Sequence, residues 1–338
     1  MITHELDTLT TTDMDAGTLF SGKASGRMIR GYSAPCSFTP RIDPDYLFHD
    51  SMRDIVVWLL SGTEEKADPL YIFGPTGSGK TSLVRQLAAR LNYPVFDVTG
   101  HGRLEFPDLA GHLSVQSGNM VYQYGPLALA MRYGGLFLLN EADLLDPATA
   151  TGLNGVLDGG PLCIPENGGE IIQPHPMFRF VATANTNGAS DESGLYQGTL
   201  RQNIALMDRF YLCEVGYPAQ ETEVMLLERI APDIPQDIRE TMASFAGEVR
   251  RLFMGESEKQ KYGETIDITF STRTLISWAT LTRRFQPLAR QGIQPIGYAL
   301  DRALGFRASR ETRAMLHELA QRMFPTAESQ QTTDIENT

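Results

Sequence analysis

Short apolar runs alternate with amphipathic segments from residue 70 to residue 215. The apolar runs predict β-strands at residues 70–74, 94–99, 135–140, 178–184 and 209–215. The third run, GLFLLN, is continuously apolar, which is typical of a strand buried on both faces. Leu83, Val84 and Leu87 share one face of a helix predicted between the first two strands. The pattern predicts an α/β fold with a mostly parallel five-stranded sheet and helices on both faces.

The pattern changes after Tyr217-Pro218, where the strand-like runs stop. Helical segments are predicted at about 219–230, 235–254, 272–286, 295–304 and 310–323, interrupted by a polar loop at 255–264. We therefore expect a large αβα domain over 34–217 and a helical domain over 218–325. Residues 1–33 are rich in Thr, Ser and Gly and predict a flexible arm, and the polar residues 326–338 predict a disordered tail.

Composition narrows the possible functions. A net charge of −12 over 338 residues argues against general coating of nucleic acid, although a local basic channel stays open. The three cysteines form no CxxC pair, and the spacing of His101, His112 and His175 fits no metal-ligand pattern. The N-terminal residues do not resemble a signal peptide, and no apolar run is long enough to span a membrane. We expect a cytoplasmic protein.

A phosphate-binding loop follows the first predicted strand. GPTGSGKT at 74–81 matches G-x-x-x-x-G-K-[ST] between a strand and a helix. Its glycines and backbone N–H groups suit phosphate oxygens, Lys80 reaches the β- and γ-phosphates, and the Thr81 hydroxyl suits Mg²⁺. The predicted cofactors are ATP and Mg²⁺. The predicted nucleotide-binding residues are Gly74, Pro75, Thr76, Gly77, Ser78, Gly79, Lys80, Thr81 and Ser82.

An acidic turn follows the third predicted strand, in LFLLNEAD. An apolar strand ending in acidic residues is the Walker B pattern, in which Glu141 is placed to polarise the attacking water. Asn140 occupies the position usual for Asp, where it can accept a hydrogen bond from a Mg²⁺-bound water without bringing charge. We expect Asp143 to compensate partly for that charge.

These motifs resemble those of AAA+ ATPases. The resemblance places Asn185, in ATANTNG, at the sensor 1 position near the γ-phosphate, although an Asn there also suits an ordinary turn. It places Arg209, in MDRF, as an arginine finger that reaches a neighbouring subunit, with Arg201 as its competitor and a surface arginine as the alternative. Arg273, in STRT, matches sensor 2 of a lid domain, where Ser271 or Thr272 can cap the helix.

The likeness narrows to the MoxR-like branch, and within it to the cobaltochelatase ATPase subunit subfamily, CobS. The shared stretches are IQPHPMFRFVATANT, GLYQGT, MDRF and STRTLISWA, and the likeness spans about residues 34–325. Asn140, where these relatives have Asp, and the N-terminal arm depart from the pattern.

This resemblance implies a homo-hexameric ring and a partner with a von Willebrand factor A (VWA) domain, similar to CobT. It also implies that insertions at 101–124 and 161–173 face the pore or the partner. Tyr122 and Tyr124 are then candidate contact residues, although aromatic core packing is the equal alternative. The alternation of LCIP and EIIQ around ENGG predicts a hairpin in the second insertion.

The leading hypothesis is a ring-forming, Mg²⁺-dependent ATPase that remodels a protein partner. Three alternatives stay open: a cobaltochelatase subunit in cobalamin synthesis, a DNA-remodelling ATPase, and a nucleotide-gated scaffold with little turnover. Neighbouring genes for cobalamin synthesis would favour the first alternative, and stimulation of ATP turnover by DNA would favour the second. The neutral Asn140 makes the third plausible.

Overall fold

The structure is a computed structural model that describes residues 2–48, 51–61, 68–189, 196, 198–254 and 268–324. The polar loop at 255–264 and the tail at 326–338 lie outside these residues. The helices and strands, in chain order, are α1 (Ile2–Asp7), β1 (Thr11–Asp15), α2 (Ala16–Ser21), β2 (Met28–Tyr32), α3 (Met52–Ser61), β3 (Leu70–Phe73), α4 (Lys80–Arg90), β4 (Val95–Thr99), α5 (Phe106–Ala110), β5 (Gly111–Gln116), β6 (Asn119–Tyr124), α6 (Pro126–Tyr133), β7 (Leu136–Asn140), α7 (Pro147–Gly152), α8 (Asn154–Leu157), β8 (Leu162–Ile164), β9 (Glu170–Ile172), β10 (Arg179–Ala184), α9 (Ile204–Met207), β11 (Tyr211–Glu214), α10 (Gln220–Ile230), α11 (Gln236–Met254), α12 (Thr272–Phe285), α13 (Pro295–Ala303) and α14 (Arg310–Met323).

The chain divides into two compact units. The first contains Met1–Pro44, Phe48–Pro75 and Lys80–Gly216. The second contains Asp45–Leu47, Thr76–Gly79 and the chain from Tyr217 onward. The tip of the phosphate-binding loop is therefore assigned to the second unit, whereas the strand before it and the helix after it belong to the first.

A five-stranded sheet forms the centre of the first unit. Its strand order is β11-β3-β10-β7-β4, and every neighbouring pair is parallel. The α/β fold with a five-stranded parallel sheet is confirmed, and each observed strand lies within the range that its apolar run predicts. The order places β3, β10 and β7 side by side although they are far apart in sequence.

Strand β7 is buried on both faces, as its continuous apolar run predicts. Phe137 and Leu139 belong to one hydrophobic core, whereas Leu136 and Leu138 belong to another. Successive side chains of a strand point to opposite faces, so the two cores lie on the two faces of the sheet.

Two antiparallel hairpins occupy the regions of the expected insertions. In the first, β5 pairs with β6 through a turn in which Ser117 and Gly118 have φ values of 50° and 84°. Two positive φ angles in a two-residue turn match the twist of a hairpin. In the second, β8 pairs with β9.

The N-terminal region differs from the expectation of a flexible arm over residues 1–33. It contains α1, α2 and an antiparallel β1–β2 pair, and Leu6, Ile29 and Tyr32 are buried. The Tyr32 hydroxyl donates a hydrogen bond to the backbone oxygen of Gly134, at 2.8 Å. These apolar residues are too widely spaced to form a periodic pattern, and their burial depends on residues far along the chain.

The helices of the second unit enclose an aromatic core. Phe245 and Trp278 contact each other, and each also contacts Phe270 and Phe324, at ring-centroid distances of 5.1–6.4 Å. The helical character predicted after residue 217 is confirmed for α10 to α14. Within the described ranges, the helices are too short or too polar to cross a membrane.

Replacing Tyr32 with Ala tests whether the N-terminal segment is part of the folded unit. The change removes a buried ring and its hydrogen bonds, so the free energy of unfolding should fall by about 3–5 kcal/mol. Urea unfolding followed by circular dichroism measures this loss. The matched control is Met28→Ala on the same strand, where the side chain is half exposed and the expected change is within about 0.5 kcal/mol. Equal small effects at both positions would indicate a flexible arm.

Candidate nucleotide site

Three strands of the sheet end together where the predicted site residues begin. Ala184 of β10 lies opposite Phe73 of β3, so Gly74 and Asn185 leave the sheet next to each other. On the other side of β10, Ala182 pairs with Leu139 of β7, one residue before Asn140. The carboxyl ends of parallel strands are where α/β proteins bind ligands.

The first turn of the phosphate-binding loop requires glycine at Gly74. This residue has a φ of +147°, and a Cβ there would lie 2.1 Å from the backbone oxygen of Val215. A side chain at this position would therefore collide with the backbone next to β11. The glycine lets the chain turn sharply out of β3 and into the loop.

Lys80 is buried at the beginning of α4, with 8% of its surface exposed. Its ammonium group donates hydrogen bonds to the backbone oxygens of Gly74 and Pro75, at 2.7 and 2.9 Å. It also donates to Oδ1 of Asn185, at 3.2 Å. The structure thus brings together the predicted phosphate-binding lysine and the predicted sensor 1 residue.

Thr81 and Asn140 form the predicted magnesium position. The Thr81 hydroxyl donates to Oδ1 of Asn140 at 2.8 Å, and the Thr183 hydroxyl donates to the same oxygen at 3.2 Å. A hydroxyl and an amide oxygen are hard oxygen donors of the kind that Mg²⁺ prefers, with water completing its octahedron. The donor set fits Mg²⁺, although it contributes no formal charge.

The phosphate-binding loop also presents a buried polar atom that suits a ligand. The Ser78 side chain is 6% exposed, and its hydroxyl oxygen has no hydrogen-bond partner within the described part of the chain. A buried hydroxyl without a partner is costly. Phosphate oxygens would accept its hydrogen bond, so the loop fits a nucleotide.

Glu141 follows β7 in a left-handed conformation, with a φ of 53°. Its side chain is exposed at the same edge of the sheet. A non-glycine residue in this conformation carries backbone strain, and such strain is frequent at functional sites. The turn therefore presents the carboxylate towards solvent, where a water molecule can reach it.

Asp143 lies in the turn that follows β7. It is fully buried, and its Oδ2 accepts hydrogen bonds from the backbone N–H groups of Asn185 and Thr186, at 2.9 and 3.0 Å. The carboxylate therefore holds the turn after β10. The expectation that Asp143 compensates partly for the charge missing at Asn140 stays a prediction.

The predicted arginine finger is engaged within its own chain. Nε and Nη2 of Arg209 donate to the two carboxylate oxygens of Asp158, at 2.9 and 3.2 Å, and Nη1 donates to the backbone oxygen of Ala205. Arg201, its competitor, is exposed and forms no ion pair within the described ranges. The structure does not bring either arginine into contact with the Lys80 network.

Arg273 is exposed on the first turn of α12 in the second unit. Of the two candidate caps, Ser271 is the N-cap, since its hydroxyl accepts the backbone N–H of Thr274 at 3.1 Å. Thr272 instead donates to Glu223, at 2.7 Å. Within the same unit, a Cβ at Gly77 would lie 2.5 Å from the Cβ of Ser271, so that glycine cannot be replaced without a shift.

Sequence reasoning missed two residues that shape this region. Thr183 is a polar residue in a strand whose residues are otherwise mostly apolar. That exception could have identified it as a candidate site residue. Asp158 gave no signal, because it lies 51 residues from Arg209 and only the fold brings the two together.

Two families of known proteins match this chain. The family described as "AAA domain (dynein-related subfamily)" matches residues 69–210. The family described as "CbbQ/NirQ/NorQ C-terminal" matches residues 221–323. The first match contains the phosphate-binding loop, the turn after β7, Asn185 and Arg209, and the second contains Arg273.

Three curated relatives extend over most of the chain. Aerobic cobaltochelatase subunit CobS of a Sinorhizobium species is 30% identical over 77% of this chain and 78% of its own length. Protein NorQ of Paracoccus denitrificans is 30% identical over 66% of this chain and 76% of its own. Denitrification regulatory protein NirQ of Stutzerimonas stutzeri is 31% identical over 64% of this chain and 72% of its own. With the site described above, these matches show that the chain belongs to the MoxR-type family of AAA+ ATPases and hydrolyses ATP.

Proposed function

We propose that this protein is a ring-forming, Mg²⁺-dependent ATPase that remodels a protein partner together with a VWA-domain co-protein. The observation that carries the proposal is the meeting of Lys80, Asn185 and the Thr81–Asn140 pair at one edge of the sheet. Lys80 binds the β- and γ-phosphates, and Asn185 and Glu141 orient the attacking water. Thr81 would hold Mg²⁺ directly and Asn140 would hold it through a metal-bound water, and the cation would supply positive charge to the phosphates.

The surfaces of the two hairpins support the proposal that the partner is a protein. On β5–β6, directly opposite residues lie on the same face, so the register puts Leu113, Val115 and Met120 together. These side chains are 44%, 70% and 64% exposed. An exposed apolar face on a hairpin suits contact with a polypeptide more than contact with a phosphate backbone. The net charge of −12 agrees with this preference.

The hairpins are also joined to each other. The Tyr124 hydroxyl donates to Oε2 of Glu170 at 2.8 Å, and Nδ2 of Asn167 donates to the same oxygen at 2.6 Å. Arg132 forms an ion pair with Glu170 and stacks on the Tyr124 ring. Tyr124 therefore has a structural role at the base of the first hairpin, and the two hairpins form one connected surface for the partner.

The second candidate function is that of an ATPase subunit of cobaltochelatase. It is favoured by the match to CobS, which covers a larger share of this chain than the matches to NorQ and NirQ do. The nearly equal identities of the three relatives do not by themselves single out the cobaltochelatase function. Chelatase activity reconstituted with a cobalt salt, a corrin precursor and the partner subunits would establish the narrower function.

Glu141→Gln should trap the ATP-bound form. Without the carboxylate that polarises water, phosphate release should fall by roughly 10²–10⁴-fold while ATP binding persists. A pull-down with this variant and ATP, after nuclease treatment, identifies bound proteins by mass spectrometry. Lys80→Ala is the control, because loss of its charge should weaken ATP binding by roughly 10–100-fold and abolish capture. Turnover unchanged in Glu141→Gln, or stimulated by DNA, would contradict the proposal.

Subunit mixing distinguishes Arg209 from Arg201. If Arg209 acts on a neighbour's nucleotide, Arg209→Ala should lower the catalytic rate by roughly 10³-fold. Mixing Arg209→Ala with Lys80→Ala subunits should then restore part of the activity, because some interfaces combine an intact loop with an intact finger. The same mixture made with Arg201→Ala is the matched comparison. Recovery in that mixture alone would assign the finger to Arg201, and no recovery in rings that assemble would exclude a finger in trans.

Asn140→Asp should lower the Mg²⁺ concentration needed for half-maximal ATPase activity. A carboxylate oxygen accepts a stronger hydrogen bond from a metal-bound water than an amide oxygen does, so the expected shift is roughly tenfold. A Mg²⁺ titration of phosphate release at fixed ATP measures it. Gln291→Glu introduces the same charge at an exposed position of the second unit and should cause no shift. An unchanged midpoint in Asn140→Asp would place the metal away from residue 140.

A further inference from the structure

Asp143 is a buried carboxylate to which the proposed mechanism gives no role. It lies in a short 3-10 turn, Ala142–Leu144, directly after Glu141, and its exposed fraction is 0%. Oδ2 accepts the two backbone N–H groups of Asn185 and Thr186 described above, and the Thr186 hydroxyl lies 3.3 Å from the same oxygen. Oδ1 is buried and has no hydrogen-bond partner within the described residues.

The turn held by Asp143 is fixed from a second direction. Tyr71, on β3, donates its hydroxyl hydrogen to the backbone oxygen of Thr186 at 3.2 Å. The pKa of Tyr71 is raised, first by its burial and then by the negative charge of Asp143. Thr186 is thus held through its N–H by Asp143 and through its carbonyl by Tyr71, which leaves the chain at Asn185 little freedom.

The main chain of Asp143 makes a further connection. Its carbonyl oxygen accepts the backbone N–H of Leu200 at 2.7 Å, one residue before Arg201. The residue therefore connects the turn that carries Glu141, the turn that carries Asn185 and the segment that leads to the two candidate finger arginines.

Burial of a carboxylate whose described partners are N–H groups and a hydroxyl is expensive. Transfer of a charge from water costs several kcal/mol, and hydrogen bonds from N–H groups recover only part of it. An apolar residue would avoid that cost but would leave two backbone N–H groups unsatisfied. The carboxylate is therefore better explained by what it orders than by a contribution to stability.

We propose that Asp143 is a positioning residue for ATP hydrolysis. It fixes the backbone of Asn185 so that Oδ1 of Asn185 stays at the Lys80 ammonium group. The role rests on the proposed functions of Lys80 and Asn185. Asp143 does not contact nucleotide. Asp143 acts by keeping the side chain of Asn185, which senses the γ-phosphate, at a constant distance from Glu141. Glu141 lies two residues before Asp143 in the chain.

A double-mutant cycle tests this role. Asp143→Ala should lower kcat roughly 10²-fold with less than about a threefold change in the Kd for ATP, because misplacement of a positioning group costs the catalytic step. Asn185→Ala should lower kcat by a similar factor. If Asp143 acts through Asn185, the double variant should be no slower than Asn185→Ala alone, whereas independent effects would multiply and overturn the proposal.

Conservative variants separate positioning from folding. Asp143→Asn keeps one acceptor oxygen and should retain kcat within about tenfold, whereas Asp143→Ser is too short to reach both N–H groups and should resemble Asp143→Ala. If Asp143→Ala does not fold, the cycle is run with Asp143→Ser. Asp301→Ala removes a carboxylate paired with Arg313 in the second unit, so it controls for destabilisation and should leave kcat unchanged.

The outcomes distinguish this inference from the proposed function. Two outcomes would overturn the role of Asp143 and leave the proposed function intact. One is a set of kcat losses that multiply while ATP binding stays normal, and the other is a loss of ATP affinity in Asp143→Ala that matches its loss of kcat. An Asn185→Ala variant with normal kcat, or a Lys80→Ala variant with normal ATP affinity, would instead overturn the site assignments on which the inference rests.

Discussion

The parallel pairing of β10 between β3 and β7 is the constraint on which the site depends. Because all three strands run in the same direction, their carboxyl ends meet at one edge of the sheet. Gly74 and Asn185 follow β3 and β10, and Asn140 is the last residue of β7. The three residues are therefore neighbours in space although they are widely separated in sequence. A slip of one residue in either pairing would turn the side chains at these strand ends to the opposite face. The two apolar cores, one on each face of the sheet, hold the register in place.

The chemistry at this edge is unusual in having little negative charge in direct contact with the phosphate-binding residues. Asn140, a neutral residue, accepts the hydroxyl hydrogens of Thr81 and Thr183. Lys80 contacts two backbone carbonyls and an amide oxygen. The two carboxylates of the turn after β7 have separate environments, since Glu141 is exposed whereas Asp143 is buried. The turn after β7 thus supplies two carboxylates, one that faces solvent and one that lies in the interior.

Long-range polar contacts connect the site with the rest of the first unit. Asp143 reaches the turn after β10 and the segment before Arg201, and Asp158 holds Arg209. Glu170 joins the two hairpins. Each of these carboxylates accepts hydrogen bonds from groups on a different element, so a local change at one element alters the hydrogen bonds of another. Such contacts suit the proposed function, in which ATP hydrolysis alters a surface that binds a partner.

The sequence by itself determined the order and type of the main elements. Three features were readable from the sequence: the continuous apolar run of β7, the helical period of α4 and the change of pattern after residue 217. Each reflects which residues of an element are buried, and that burial follows from the pattern of neighbouring residues. The phosphate-binding loop could also be identified from the sequence, because phosphate recognition by backbone N–H groups needs glycines at fixed spacing. The roles assigned to Arg209 and Arg273 came from family resemblance and stay predictions.

Only the tertiary structure decided which polar groups far apart in the chain become partners, and it also decided the state of the N-terminal segment. The contacts of Asp143 with Asn185, of Asp158 with Arg209 and of Tyr32 with Gly134 join residues 42, 51 and 102 positions apart. No local pattern encodes them, because an acidic residue in a turn has the same sequence signature whether it is solvated or buried. The strand pairing and the packing of distant elements determine which it becomes.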